Sequence, residues 1–168
     1  MQVRRLGGEP DDVAIGTRLI DEYVRFTHAE AIDVGFEGLP TEIADFVALA
    51  PDLADFAAAY VTPGATYLTA FDRGEPLGGV GLRPHTLGIE LKRLWVRPQD
   101  RGRGVAQRLC VDAIDWARDT GYAAIVLDVA AYRTGAIGLY ERLGFTACPP
   151  INDYPFSLAA YRLEITDG

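Results

Sequence analysis

The stretch that decides the reading is Leu91–Leu109, "LKRLWVRPQDRGRGVAQRL". From Leu91 to Val96 an alternating, strand-like run leads to Pro98. A turn containing Arg101, Gly102, Arg103 and Gly104 follows, and from Val105 the apolar residues recur at helical spacing. A strand that passes through a glycine turn into a helix start leaves several backbone N–H groups unpaired at one point. The helix dipole adds partial positive charge there, so the corner suits a phosphate or diphosphate. Gly102 and Gly104 lack the Cβ atoms that would hold phosphate oxygens off the backbone, and Arg101 and Arg103 add side-chain charge suited to phosphate. A plain turn would use the same glycines. The flanking strand and helix, and the clustering of bases, favour the anion site: Lys92, Arg93, Arg97, Arg101, Arg103 and Arg108 fall in seventeen residues with one acid, Asp100.

That island sits in an acidic chain of net charge −8. Residues 1–60 hold 12 acids and 4 bases, and residues 61–168 hold 12 of each, so the whole excess lies in the N-terminal third. With one lysine and fifteen arginines, the chain prefers arginine everywhere, which accounts for the type of base and not for its clustering. At 168 residues the chain is expected to be one domain able to bury a core. Its 49% hydrophobic and 24% charged content is that of a soluble globular protein. No apolar run approaches the roughly 18–20 residues that span a bilayer, and "MQVRRLGGEPDD" lacks the apolar centre of a secretion signal, so a cytoplasmic protein is expected, with no membrane partner. Cys110 and Cys148 are too few for a disulfide scaffold and lack metal-ligand spacing. Neither they nor His28 and His85, expected at the surface, suggest a metal site, and Cys148 beside Pro149 and Pro150 reads as structural.

The pattern predicts a strand at "MQVRRL", a helix from Val13 to Ala31 after Pro10, and a short helix from Thr41 that stops before Pro51. "ATYLTAF" and "LGGVGLRP" form a hairpin around "DRGEP", and "GIELKRLWV" is a strand whose imperfect alternation signals a bulge. Val105, Ala106, Leu109, Cys110, Ala113, Ile114 and Ala117 make one apolar stripe of a helix that Gly121 stops. A buried strand "AAIVLDV", a helix from Thr134 ending at Gly144, and a strand "PFSLAAYRLEI" complete an α/β (α+β) sandwich around one mixed sheet.

The phosphate ligand is narrowed by what is missing. No Gly-Lys-Ser/Thr follows the turn, and "GRGVAQ" has Gln107 where a dinucleotide fingerprint needs its third glycine. Asp128 lies at about the spacing of a ribose contact, so dinucleotide binding remains a distant alternative. "LWVRPQDRGRGVAQRL" resembles the acetyl-CoA-binding motif of the GNAT acyltransferases, Q/R-x-x-G-x-G/A. Gln99, Gly102 and Gly104 fit it, as does the overlapping frame Arg101, Gly104 and Ala106. "AIGLYERLGF" resembles the later motif of that family, a helix carrying L-Y-E-x-x-G-F. The resemblance covers about residues 60–165, while the first sixty match only in being helical, so a variable helical part (about 1–60) would precede a cofactor core (about 61–168).

The resemblance implies a mostly antiparallel, twisted mixed sheet with helices around it and a splayed strand pair at the cofactor site. It implies that backbone groups of Leu94, Trp95 and Val96 pair with pantetheine, and that amides of Arg101, Gly102, Arg103, Gly104, Val105 and Ala106 hold the diphosphate. Acetyl-CoA would donate the acetyl group to a primary amine of a small molecule or peptide. Glu90 matches the position of a glutamate base that often works through a water; the alternative is a carboxylate paired with Arg93 or Lys92. Tyr140 matches the tyrosine acid that protonates the departing thiolate; the alternative, a core-facing aromatic, is compatible with it. Where the family often carries Asn, this chain has Arg133, which would meet a CoA phosphate or be solvated. The acidic N-terminal helices would favour a cationic acceptor such as a polyamine, an aminoglycoside or a lysine side chain, or serve solubility alone. No basic face extends beyond the turn, so nucleic acid is not expected as a partner; self-association as a homodimer is left open. A CoA-binding regulatory domain without turnover is the second reading.

Overall fold

In the computed structural model, residues 1–165 are described; 166–168, the end of the expected single domain, lie outside the described residues. Seven strands form one sheet in the order β1-β2-β3-β4-β5-β7-β6. They are β1 (Gln2–Arg5), β2 (Thr66–Asp72), β3 (Glu75–His85), β4 (Gly88–Val96), β5 (Ala124–Val129), β6 (Thr146–Cys148) and β7 (Ala159–Glu164). All neighbours run antiparallel except β4 and β5. A parallel neighbour needs a crossover, and the helix predicted after the glycine turn supplies it. This is α5 (Val105–Thr120), stopped by Gly121 in the left-handed region.

β2, β3 and β5 are buried along most of their length because helices cover both faces of the sheet. On one face α5 packs Val105, Leu109, Cys110, Ala113 and Ala117, and α6 (Thr134–Arg142) packs Leu139 and Tyr140, in one core with Leu68, Val80, Leu82 and Ile125. On the other, α1 (Pro10–Asp33) and three short helices, α2 (Ile43–Val47), α3 (Pro51–Ala54) and α4 (Phe56–Tyr60), bring Leu19, Ile20, Val24, Phe56 and Tyr60 against Tyr67 and Trp95. The glycines of "LGGVGL" make room for this second layer. A Cβ on Gly79 would lie 2.5 Å from the Tyr67 ring, and one on Gly81 would strike Tyr60.

The elements follow the sequence pattern with a few differences. α1 begins at Pro10, which suits the first helical position and sets Asp11 and Asp12 at the favourable end of the dipole. α3 and α4 lie where no periodicity signals a helix, each being a single turn fixed by packing and, for α4, by the Asp55 cap on the Ala58 amide. β6, three residues long, is likewise too short to show a period. The last strand starts only at Ala159, because Pro155 and its neighbours form a loop over the sheet.

Candidate functional site

The broken alternation of β4 is a bulge. Gly79 faces Trp95 and Gly81 faces Lys92, so β4 carries one residue too many between them. Arg93 takes up the excess with φ +57°, an uncommon conformation for a non-glycine residue. The same strand meets β5 only at Ile89–Ile125 and Glu90–Val126. Beyond Glu90 the two parallel strands part, and among the described residues no strand pairs with Leu94 to Val96 on the side away from β3. An unpaired strand edge is a template for an extended ligand.

This edge runs into the glycine turn. Gly102 and Gly104 have φ of +77° and +76°, and an added Cβ at either would meet nothing within 4 Å. Among the described residues, the amides of Gly102 to Ala106 find no acceptor, and α5 starts without a side-chain cap. Open space in front of unpaired amides at the end of a sixteen-residue helix fits a diphosphate. Gln99 lies exposed in the turn. The arginine side chains are committed within the protein. Arg101 donates to the Val96 carbonyl (3.1 Å), its guanidinium 4.8 Å from the centre of Phe26 and 5.2 Å from that of Trp95. Arg103 bridges Asp100 and Asp72 at 2.7 and 2.8 Å.

The uneven charge has a structural outlet. Glu22 of α1 accepts from Arg97 (2.8 Å) and from the Trp95 indole (3.0 Å), and Glu30 pairs with Arg133 at 3.0 Å. Asp52 of α3 is 1% exposed; it takes a two-point bond from Arg93, both contacts at 2.9 Å, and the Tyr60 hydroxyl at 2.7 Å. The acidic N-terminal part is thus docked onto bases of the core.

At the point of divergence sits a second buried polar cluster. Glu90, 6% exposed, accepts through one oxygen from Lys92 (3.2 Å) and Asn152 (3.0 Å). The Asn152 amide also donates to Asp128 at 2.8 Å. Burial, and behind it the charge of Glu90, push the Asp128 carboxyl above its ordinary range against the bond from Asn152. Burial works to lower the Lys92 ammonium, but Glu90, Tyr154 and Asp128 together outweigh it and the net shift is upward. A cavity of about 140 Å³ opens between the diverging strands, and Lys92, Arg93, Leu94, Asp128, Arg133 and Tyr140 line it, whereas Glu90 does not. Tyr140 is 5% exposed, packs on Phe145 at 5.8 Å and reaches this wall, so its core and cleft placements coincide. Burial lifts its phenol well above the ordinary value, which keeps the proton on it.

Asp128, Lys92, Asn152 and Asp52 carry no motif. Only the position of Asp128 at the end of a buried strand hinted at a site. His28 is a correction: it is buried at 8%, bonded to the Pro40 carbonyl (3.0 Å) and packed on Phe46, because α2 folds over it. His85 is half-buried against Ile151 and Asn152. Burial alone pushes the Cys110 thiol up to about 12. Among the described residues no group of His, Cys, Asp and Glu is arranged to hold a metal ion, and no helix is long and apolar enough to cross a membrane.

Comparison with known proteins agrees with this geometry. The family model described as "Acetyltransferase (GNAT) family" matches residues 37–145. The chain is 35% identical over 99 residues to the uncharacterized N-acetyltransferase YjgM of Escherichia coli, covering 56% of this chain and 59% of YjgM. It is 36% identical over 110 residues to the N-acetylaspartate synthetase of Danio rerio, covering 64% and 39%. The chain spans about half the length of the curated relatives it matches. Among solved structures, a GNAT-family acetyltransferase of Staphylococcus aureus Mu50 has a TM-score of 0.70 at 14% identity, covering 98% of this chain and 100% of its own. The yncA protein of Salmonella typhimurium, solved with its cofactor acetyl-CoA, has a TM-score of 0.66 at 17% identity, covering 100% and 95%. The splayed β4–β5 pair, the glycine turn that follows it and the matched span together make this chain a member of the GNAT acetyltransferase family.

Proposed function

We propose that the chain is an N-acetyltransferase that moves an acetyl group from acetyl-CoA to a primary amine. The observation that carries the reading is that the free edge of β4 runs from the point where β4 and β5 part, beside a buried carboxylate cluster, into the unpaired amides of the glycine turn. In this proposal the amides of Gly102 to Ala106 hold the diphosphate, with Gln99 beside them and the Arg101 amide bonded to the Pro98 carbonyl, and backbone groups of Leu94, Trp95 and Val96 pair with the pantetheine arm. Residues 1–60 form the acceptor wall, since α1 and α2 contribute Tyr23, Thr27 and Phe46 to the cavity, and the remainder forms the cofactor core.

Acetyl-CoA supplies a thioester carbonyl. An alkyl amine with a pKa of about 10.4 arrives protonated, and a group of the protein must take its proton before the nitrogen can attack. Two carboxylates share this task. Asp128 faces the cavity, and burial and the charge of Glu90 raise its carboxyl, which makes it a stronger proton acceptor than an ordinary carboxylate. Glu90, expected as the base from its position, stands behind it, fixed by Lys92 and Asn152. As the C–N bond forms and the C–S bond breaks, the Tyr140 phenol gives its proton to the leaving thiolate.

Thiol release from acetyl-CoA in the presence of an amine panel tests the proposal. Asp128→Asn is expected to lower kcat at least tenfold with little change in the KM for acetyl-CoA. Tight CoA binding with no turnover on any amine would instead identify a CoA-binding regulatory domain.

A further inference from the structure

The cavity carries a charge pattern that the net charge of the chain conceals. Lys92, Arg93 and Arg133 all line it, while the carboxylates that pair with them, Glu90, Asp52 and Glu30, are not among its lining groups. Each pair therefore gives its basic residue, and not its acid, to the wall. The guanidiniums of Arg93 and Arg133 lie 5.6 and 5.8 Å from the centre of one ring, that of Tyr23, so both serve the same part of the wall. Among the described residues, the single carboxylate that lines the cavity is Asp128, whose charge is weakened by burial. The acids expected to attract a cationic acceptor do not reach this space. Asp12 and Asp21 pair with Arg4 and Arg25, and Glu22 pairs with Arg97.

From this we infer that the acceptor is an amino acid, an amine bearing a carboxylate. The inference rests on the acetyl-transfer reading and names its substrate class. The amine is held at Asp128 and the carboxylate at the Arg133–Arg93 side of the wall, where a planar guanidinium matches it with two parallel bonds. A polyamine would set its second ammonium against the three basic residues of the wall. The remaining walls are apolar, with Phe36, Phe46, Tyr132 and Phe156 among them, and about 140 Å³ is close to the space that admits a benzene ring. An aromatic or branched aliphatic side chain fits that space.

The test compares L-phenylalanine with phenethylamine, L-leucine with isoamylamine, and all of these with spermidine. The expected result is a kcat/KM at least tenfold higher for each amino acid than for its decarboxylated partner, and no preference for spermidine. Arg133→Gln should raise the KM for L-phenylalanine at least fivefold while that for phenethylamine stays within twofold, and Arg133→Lys should restore part of the loss. Equal or better use of phenethylamine or spermidine overturns the inference and leaves acetyl transfer intact. So does an Arg133→Gln variant whose main defect is a raised KM for acetyl-CoA. If no amine is turned over, calorimetry with CoA present compares N-acetyl-L-phenylalanine with N-phenethylacetamide. Binding at least tenfold tighter for the carboxylate compound supports the subsite though the catalytic reading has failed. Equal binding, or none of either, overturns it.

Discussion

Replacing Asp52 is expected to damage the protein far more than its place in a poorly patterned segment suggests. Its carboxylate is 1% exposed and neutralises Arg93, whose side chain is 16% exposed and occupies the bulge of β4 in a left-handed conformation. In Asp52→Ala the guanidinium stays buried without a counter-ion, a situation that costs about 3–5 kcal/mol. The Tyr60 hydroxyl loses its acceptor as well, and that loss overlaps with the first because both donors share one carboxylate. For a domain of this size each kcal/mol lowers Tm by about 2–4 °C, so a drop of roughly 6–20 °C is expected in thermal unfolding followed by circular dichroism. Burial works to raise the Asp52 pKa, but the bonds and charge of Arg93 hold it below the ordinary value. A depressed pKa gives stability that is present above the unfolded value, about 3.9, and is lost as pH falls through the folded one. The Tm gap between wild type and Asp52→Asn should therefore be full at pH 7 and close progressively below about pH 4. A Tm loss under 3 °C, or a gap independent of pH, would refute the reasoning, as would an Asp52→Leu/Arg93→Met double variant no more stable than the sum of its single changes.

Other expectations follow from the site. Gly104→Val forces a β-branched residue to φ +76° and puts its side chain into the open space before the amides; CoA binding by calorimetry should fall at least a hundredfold while the far-ultraviolet spectrum stays native. Tyr140→Phe keeps the ring against Phe145 and removes only the proton donor, so kcat should fall about 10²-fold with a Tm change of a few degrees at most. The Asp128 carboxyl titrates above its ordinary range, so kcat/KM should rise with pH through that raised value, and in Asp128→Asn this acid limb should disappear from the pH–rate profile. Glu90→Gln removes the neighbouring charge that supports the raised Asp128 pKa; activity should fall about tenfold and the acid limb should shift to lower pH.

The fold and the glycine corner were legible in the sequence because both depend on local order. A strand, a turn needing two left-handed glycines, and an amphipathic helix are consecutive in the chain, and their pattern forces unpaired amides to one point whatever surrounds them. The bulge in β4 announced itself through broken alternation, and the long helices through periodicity and their stops. The single-turn helices α3 and α4 did not, since one turn has no period and is held by what it packs on. The proposed catalytic cluster was only half visible. The family resemblance pointed to Glu90 by its position and to Tyr140 by its motif, but the link of Glu90 to Asp128 through Asn152 joins residues 24 to 62 positions apart. The charge of the proposed acceptor site depended on tertiary structure most of all. Counting residues gave an acidic N-terminal third, whereas packing paired its carboxylates with arginines of the core and left basic residues in the cavity wall. The composition of a chain fixes how much charge it carries; which member of each pair lines a cavity is decided only when distant segments meet.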